Sequence, residues 1–285
     1  MFASANAAHF TLLIPYVRND FKVLAFDGLE AISTLYAIKV ELVSERSGFD
    51  LERLLSQPAF LQFGLKGEGI HGRIEDVRVG ESGKRLTRYH LTLVPALYYL
   101  QYSFNQRIFQ HMTVPQIIAQ VLKGHGIQAD AYRFHVNKSP EREYCTQYGE
   151  NDFEFIQRLC SEDGISWHHQ HSEQDHVLVF TEDQTFFPKI GTTQFQPGSG
   201  LVADYPVVSQ FSLRFSSRTT KTTRRSYDFK RPRLLLKSHF TADFTPALED
   251  YSSPAPLDNE KQRRQIVQHA LERHRADYTL AQGQS

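Results

Sequence analysis

Alternation of apolar and polar residues is the dominant pattern in the first hundred residues of the chain. Within Leu35–Val43 the apolar positions recur at every second residue: Tyr36, Ile38, Val40 and Leu42. Successive side chains of a strand point to opposite faces, so this spacing predicts a strand with one buried face. The same pattern predicts four further strands: His9–Val17, Phe60–Leu65, Gly72–Val79 and Tyr89–Val94.

The last two of these strands are joined by the turn sequence GESGKRL and are predicted to form a hairpin. Their inward side chains would be Ile74, Val77, Val79, Tyr89, Leu91 and Leu93, with a β-bulge absorbing the change of phase. A short helix is also predicted between the strands, capped by Asp50 and ended by Pro58.

Two helices are predicted from capping signals combined with apolar stripes. Thr113 and Gln116 form a capping-box pair with Pro115 in the first turn, and Asn151 and Glu154 form a second pair. The apolar faces are Ile117, Ile118, Val121 and Leu122 in the first helix, and Phe153, Phe155, Ile156, Leu159 and Cys160 in the second. Gly164 supplies the left-handed end of the second helix.

A hairpin is predicted from Trp167 to Thr181, with its turn at Ser172–Asp175. Within it Val177–Phe180 is continuously apolar, which indicates a strand buried on both faces. The segment Phe186–Pro206 is rich in proline and glycine and is predicted to be a long loop.

The C-terminal region is predicted to form strands followed by a helix. Phe211–Phe215 alternates as a strand, whereas Ser217–Arg225 is polar and is predicted to be an exposed strand or loop. Asp258 would cap a helix whose apolar stripe is Ile266, Val267, Ala270, Leu271 and His274. The chain stops at Gln282–Ser285, directly after this helix. A β-rich fold would be expected to continue into a returning strand, so we expect a fragment that lacks its last strands.

Composition restricts the function classes. The chain has 32 basic and 32 acidic residues, so charge gives no argument for binding nucleic acid or an anionic membrane. No apolar run approaches the ~20 residues that span a bilayer, and the N-terminus lacks the basic start of a signal peptide. The cysteines, Cys145 and Cys160, are interpreted as free thiols of a protein folded in the cytosol.

The sequence contains few motifs that suggest catalysis or ligand binding. Gly67, Gly69 and Gly72 have dinucleotide-binding spacing, but a strand follows them where the fingerprint needs a helix, so we expect a turn at the mouth of a barrel. Arg218–Arg233 is basic with interleaved aromatics, a pattern shared by nucleic-acid interfaces and charged edge strands. We favour the edge strand. No nucleophile elbow, phosphate loop or zinc-protease motif is present in the sequence.

Histidines cluster on the predicted hairpin, at His168, His169, His171 and His176. His169 and His171 share a face by alternation, and His176 could approach them across the turn. Such a trio could hold zinc. However, no cysteine or carboxylate lies at a matching spacing, and the polar face of a hairpin explains the cluster equally. We therefore predict no metal, no cofactor and no catalytic residue.

Two sets of short motifs resemble one family. Within Tyr144–Ile165 they are Tyr144-Cys145, Gln147-Tyr148, Glu150, Asp152-Phe153, Phe155-Ile156, Arg158-Leu159, Glu162 and Gly164-Ile165. Elsewhere they are Arg107–Gln110, Thr113–Pro115, Ile117-Ile118, Tyr227–Phe229 with Pro232, and Tyr251 with Pro254. In this order they resemble the VgrG spike proteins of type VI secretion and the related hub proteins of contractile-phage baseplates.

The resemblance implies a β-rich α+β fold of two related β-barrel-like hub domains, interleaved in sequence, with a few short helices. The first domain would span residues 1–100 and be completed by strands within 177–235. Residues 101–176 would form the α+β part of the second domain, and residues 236–285 a C-terminal extension with a helix.

The resemblance also implies a structural, non-enzymatic role. Three chains would form a ring that adapts a hexameric Hcp tube to a three-fold spike, with tip proteins and effectors as further partners and no contact with nucleic acid or membrane. Assembly would take place in the cytoplasm, followed by secretion without a signal peptide. Two alternatives stay open: a phage or tailocin baseplate hub, and a metal-dependent hydrolase using His169, His171 and His176.

Overall fold

The structure is a computed structural model that describes residues 10–15, 17, 20–63, 68–137, 139–187, 192, 194–197, 207–227, 231–253 and 260–284. The chain forms two compact units. The first contains residues 1–159 and 165–183, and the second contains residues 160–164 and 184–285.

The described residues form sixteen strands and three α-helices. The strands are β1 Phe10–Leu13, β2 Lys22–Ala31, β3 Thr34–Ser44, β4 Pro58–Phe63, β5 Gly69–Ser82, β6 Thr87–Val94, β7 Arg107–Met112, β8 Tyr132–His135, β9 Arg142–Gln147, β10 Ser166–His171, β11 His176–Thr181, β12 Gln210–Phe215, β13 Lys221–Ser226, β14 Leu236–Thr241, β15 Glu249–Ser252 and β16 Thr279–Gln284. The helices are α1 Val114–Gly124, α2 Asp152–Asp163 and α3 Glu260–Arg275, with 3-10 turns at Glu52–Leu54, Ala96–Tyr102 and Gln184–Phe186. This content confirms the prediction of a β-rich α+β fold with a few short helices.

The first unit is built on an antiparallel six-stranded sheet with the order β1-β4-β5-β6-β3-β2. Its core consists mainly of the alternating positions that the sequence identified, including Tyr36, Leu42, Ile74, Leu91 and Leu93, all at most 2% exposed. Removing these side chains from water stabilises the fold by about 1.5–3 kcal/mol for each large aliphatic residue. The sheet therefore rests on the period-two pattern of the chain.

The predicted bulge in β5 lies between Ile74 and Asp76. A second irregularity lies between Val79 and Ser82, and beyond it the strand leaves the core. Val79 is 48% exposed, so its prediction as an inward residue was wrong. Strand β2 was missed, because most of its side chains are exposed and it shows no buried alternation.

The predicted helix after Asp50 is a single 3-10 turn, Glu52–Leu54, preceded by Leu51. Among the residues of this turn only Leu54 is buried. The prediction of a helix capped by Asp50 was therefore wrong. Burial of Leu54 needs only a single turn, and the chain then enters β4.

Both predicted capping boxes are present in the α+β part of the first unit. The Glu154 amide donates to Asn151 Oδ1 at 2.8 Å, and the Asn151 amide donates to a Glu154 carboxylate oxygen at 3.1 Å. The equivalent pair joins Thr113 and Gln116. Helix α2 ends at Gly164, whose φ of +71° is the left-handed conformation expected there.

A buried carboxylate lies at the start of α2. The Asp152 side chain is fully buried and accepts hydrogen bonds from Gln147 (2.7 Å), Asn105 (3.1 Å), Arg107 (2.7 Å) and His125 (2.6 Å). Burial alone would raise its pKa, but these hydrogen bonds and the Arg107 charge outweigh burial and lower the pKa below its ordinary value. One ionised side chain thereby joins β7, β9 and α2 to the end of α1.

The hairpin β10–β11 follows α2 with the predicted turn, and the register pairs His171 with His176. Strand β11 is buried throughout, as predicted, because it lies between β10 and the parallel strand β8. Both cysteines are free and buried.

In the second unit, β13 is the middle strand of a three-stranded sheet, with β14 antiparallel on one side and β15 parallel on the other. The prediction of an exposed edge strand was therefore wrong. Thr222 and Thr223 are fully buried, because the Thr222 hydroxyl donates to the Val267 carbonyl and the Thr223 hydroxyl to Glu249. A β-branched polar residue can occupy a core strand when its hydroxyl is paired.

Helix α3 packs on this sheet through the buried side chains Val267 and Leu271. His274 was predicted on the buried stripe, but it is exposed and contacts Asp250 through Nε2 at 2.9 Å. The predicted cap Asp258 and most of the predicted loop Phe186–Pro206 lie outside the described residues.

A returning strand does follow α3. Strand β16 pairs antiparallel with β12, with Leu213 opposite Ala281. The expectation that the closing strand was missing is thus wrong. The sequence signal was weak because this strand contains a single large apolar residue, Leu280, and packs no face into a core.

The core role of α2 can be tested at Phe155, which is fully buried and stacks on Phe109 with ring centroids 5.6 Å apart. We expect Phe155→Ala to lower the free energy of unfolding by about 3–5 kcal/mol, because it leaves a large cavity. Phe104→Ala, at a side chain that is 71% exposed, should change it by about 0.5 kcal/mol or less. Urea unfolding followed by the fluorescence of Trp167 measures both, and equal small effects would contradict the assignment.

The Asp152 network makes a second prediction. Asp152→Asn keeps the side-chain size but removes the charge and replaces one accepting oxygen with an NH2 donor that faces other donors, so we expect a loss of about 3–5 kcal/mol at neutral pH. The exposed change Glu143→Gln on β9 is the matched control. Because the folded-state pKa is depressed, the stabilisation is complete above the ordinary carboxyl pKa of about 3.9 and is lost as pH falls through the folded value. The gap between wild type and Asp152→Asn should therefore shrink below about pH 4, and a gap independent of pH would contradict this account.

Candidate functional site

The histidines singled out by the sequence do come together, and they are joined by one that the sequence did not indicate. The rings of His169, His171 and His176 surround Tyr36, with centroids 5.1, 5.4 and 6.3 Å from its ring. His71, on β5, contacts His176 from a position 105 residues earlier in the chain. Its alternating strand context gives no chemical signal, so only the fold could identify it.

Hydrogen bonds fix the proton positions in this cluster. The Ala96 amide donates to His176 Nε2 at 2.9 Å, so His176 carries its proton on Nδ1. That Nδ1 lies 2.8 Å from Nδ1 of His71, which must therefore accept. The His71 amide donates to His171 Nδ1 at 3.2 Å, which leaves His171 Nε2 to donate to Glu30 at 2.9 Å. All three rings are neutral in this arrangement.

The environment favours the same protonation state. Burial and neighbouring histidines lower the pKa of His176 to about 2 and that of His169 to about 3. Burial also lowers the pKa of His71 to about 4, against an opposing effect of Asp175. Burial and the Glu30 charge raise the pKa of Tyr36, whose hydroxyl donates to the His71 carbonyl at 2.6 Å.

This arrangement does not fit a zinc centre. Both ring nitrogens of His176 and both of His171 are engaged by protein groups, while Nε2 of His169 is buried with no hydrogen-bond partner among the described residues. A structural or catalytic zinc site needs three or four protein ligands. Within the described part of the chain, no group of three or more His, Cys, Asp or Glu residues could hold a metal ion. The hydrolase alternative therefore has no geometric support at the trio His169, His171 and His176.

A cleft of about 540 Å³ borders the cluster and is lined by His71, Arg73, Tyr99, His125 and His176 among others. Several of its polar groups serve the fold. Arg73 donates to the Ser56 carbonyl, Tyr99 to the Ile74 carbonyl, and His125 contacts Asp152. These groups hold the walls of the cleft in place.

The glycine set does not form a cofactor loop. Gly69 and Gly72 lie within β5, paired with Gln62 and Ala59, so the predicted barrel-mouth turn was wrong for these two residues. A Cβ at Gly69 would collide with the Phe60 ring and the Leu61 carbonyl, which explains the glycine by close packing. Gly67 lies outside the described residues.

Two exposed sheet faces carry large apolar side chains. In the first unit, the outer face of the β7–β9 ribbon and its flanks presents Phe104, Ile108, Tyr144 and Tyr148, which are 61–75% exposed. We call this the β7–β9 face. The opposite side of the ribbon packs Phe109 and Cys145 into the core.

In the second unit, one side of the β12–β16 ribbon presents Phe211, Leu213 and Phe215, which are 56–63% exposed, opposite Gly283, Ala281 and Thr279. We call this the β12–β16 face. An isolated two-stranded ribbon is marginal in water, and this ribbon exposes an apolar row. The alternation predicted strand β12 but could not show that its apolar row faces outward.

The protein thus combines a β-rich fold, structural polar clusters and two exposed apolar sheet faces. The family model for the phage tail baseplate hub (GPD) matches residues 29–285. The chain belongs to the phage tail baseplate hub family.

Curated relatives are similar over the whole chain. It is 53% identical to the type VI secretion system spike protein VgrG4b of Pseudomonas aeruginosa and 50% identical to VgrG5 of the same strain. All of this chain aligns, whereas 36% and 37% of those two proteins are covered. The chain thus spans little more than a third of their length.

Among solved structures, the chain is similar to the Escherichia coli c3393 protein, with a TM-score of 0.64 and 27% identity over 73% of this chain and 56% of that one. That protein is described as a type VI secretion component with structural similarity to the bacteriophage T4 tail proteins gp27 and gp5. The resemblance read from the sequence is confirmed.

The structure predicts a metal-free histidine cluster. We expect the purified protein to contain far less than one equivalent of zinc, copper or nickel per chain, because the ring nitrogens of His171 and His176 already have protein partners. Elemental analysis by inductively coupled plasma mass spectrometry measures this. Stoichiometric metal that disappears in His169→Ala, but not in the control His111→Ala, would overturn the prediction.

Proposed function

We propose that the chain is a non-enzymatic hub subunit, three copies of which form a ring between a hexameric Hcp-type tube and a three-fold spike. The observation that carries the proposal is the pair of exposed apolar sheet faces on a chain of the baseplate hub family. Buried clusters at Asp152 and His176 serve packing, which supports a structural role over a catalytic one.

Symmetry explains why two different faces are useful. A closed ring of identical chains needs two complementary surfaces on each chain, so that one copy contacts the next head to tail. The β7–β9 face lies in the first unit and the β12–β16 face in the second. Closure of the ring also covers sheet edges that would otherwise promote aggregation.

The ring would connect a six-fold tube to a three-fold spike. We propose two related barrel-like domains per chain, interleaved in sequence, so that three chains present six similar barrels to a six-fold tube. Residues 1–100, completed by strands within 177–235, would form the first barrel, and residues 101–176 the α+β part of the second. Residues 236–285 would form a C-terminal extension with a helix.

Delivery follows from the assembly. We propose that the hub is assembled in the cytoplasm and expelled with the spike, tip proteins and effectors, without a signal peptide. Among the described residues, no helix is long and apolar enough to cross a membrane. The proposal includes no cofactor and no contact with nucleic acid. A phage or tailocin hub would have the same architecture in another machine, and the 53% identity to a secretion spike protein favours secretion.

Assembly can be tested by light scattering across a dilution series of this chain. We expect a weak, concentration-dependent trimer, because a protomer interface of moderate size gives limited affinity. Leu213→Asp should shift the trimer towards monomer, since it buries a charge in the β12–β16 face. Ser212→Asp, on the opposite side of the same strand, is the matched control and should change the midpoint concentration little.

Two outcomes would contradict this assignment. A dimer would be incompatible with a three-fold ring. A trimer equally sensitive to Leu213→Asp and Ser212→Asp would show that the apolar row of the ribbon is not the contact surface.

A further inference from the structure

The turn end of the β10–β11 hairpin is attached to the six-stranded sheet through histidines. His171 accepts from the His71 amide and contacts Glu30 on β2, while His176 contacts the His71 ring on β5 and accepts from the Ala96 amide. Every one of these hydrogen bonds joins the hairpin to a residue outside it, namely Glu30, His71 or Ala96. The turn end therefore depends on ring nitrogens that can take up protons.

At the other end of the hairpin, Trp167 is held by Ser33 and Gln157, whose side chains do not titrate near neutral pH. The Ser33 amide donates to the Trp167 carbonyl at 2.7 Å, and the Trp167 amide donates to the Ser33 hydroxyl at 3.2 Å. The indole of Trp167 also donates to Gln157 at 2.7 Å. These hydrogen bonds of Trp167 use no group that titrates near neutral pH, in contrast to those of His171 and His176.

An added proton has no acceptor in the closed arrangement. On His176 Nε2 it would face the Ala96 amide proton, and on His71 Nδ1 it would face the Nδ1 proton of His176. Each protonation replaces a hydrogen bond with two opposed donors at buried rings.

We propose that the turn end of the β10–β11 hairpin is an acid-released latch, closed while His71 and His176 are neutral and opened by their protonation. This goes beyond the hub role and does not depend on it. The latch is a property of the first unit.

Some charged and titratable groups around the rings favour protonation of the histidines, and others oppose it. From the sheet, Arg73 opposes protonation of His71 and His176, while Glu30 contacts His171. From the hairpin, His169 opposes protonation of His176, and Asp175 favours protonation of His71. His168 opposes protonation of His169, and the phenol of Tyr36 packs between the rings in its neutral form. His71, the least depressed of the three buried rings, would be protonated first.

Linkage gives the pH window. The closed-state pKa values of about 4 for His71 and about 2 for His176 lie below the ordinary value near 6.5. The closed form is therefore fully favoured above about pH 6.5 and is progressively lost as pH falls below it. Each proton taken up on opening raises the opening equilibrium up to about tenfold per pH unit.

Hydrogen exchange measured by mass spectrometry tests this on the wild-type chain at pH 7.5 and at about pH 5, with rates corrected for the intrinsic pH dependence of exchange. We expect the protection of peptides containing His71 and Ala96 and of the turn segment 170–177 to fall at least tenfold on acidification. Protection of helix α1 should stay constant. Equal loss in α1 and the turn, or no loss in the turn, would overturn the proposal.

A second arm uses His71→Asn, in which the amide oxygen can accept from His176 but cannot be protonated in this range. It should fold and should weaken the pH dependence of turn protection, whereas His111→Asn should leave that dependence unchanged. If His71→Asn does not fold, nitrogen-15 NMR of the wild-type rings decides. The proposal requires the Nδ1–H tautomer at His176 and the Nε2–H tautomer at His71 and His171 at neutral pH. Any other tautomer set would refute it.

Discussion

A single ionised carboxylate, that of Asp152, sets the arrangement on which the α+β part of the first unit depends. Its side chain is fully buried and receives hydrogen bonds from two strands, a connecting segment and the end of a helix. A buried charge is tolerated only when it is this fully paired, so each donor must stay in place for the others to be satisfied. Buried neutral groups are also paired. Both ring nitrogens of His176 have hydrogen-bond partners, and so does the hydroxyl of Thr222 in the second unit. Polar groups in this protein locate elements relative to one another, and apolar burial supplies the stability.

The sequence predicted what is local. The capping pairs at Asn151 and Thr113 and the alternation in β3 depend on neighbouring residues, and all three are present. It failed where burial is decided by distant parts of the chain. Strand β2 and strand β16 are exposed and show no buried alternation, and β13 is a polar strand that is central because the hydroxyls of its threonines find acceptors. In the histidine cluster, the hairpin residues were identified together because they are adjacent in sequence. His71 was not, because only the fold brings it there.

The proposed function depends on the apolar surfaces that the chain leaves exposed. The Asp152 carboxylate and the rings of His171 and His176 have partners within their own chain, whereas the β7–β9 and β12–β16 faces expose rows of aromatic and aliphatic side chains. In the proposed ring, each chain would present one of these faces to each neighbour. Apolar strand faces that promote aggregation of a monomer would then form the contacts that close the proposed ring.

The central claim is that three of these chains form one adaptor for a six-subunit tube ring. Native mass spectrometry of this chain mixed with the hexameric tube protein of the same machine tests it most directly. The account predicts a complex of three hub chains with six tube subunits, which disappears when the hub ring is disrupted. A complex of any other stoichiometry, or separate species at concentrations where the hub is trimeric, would contradict it.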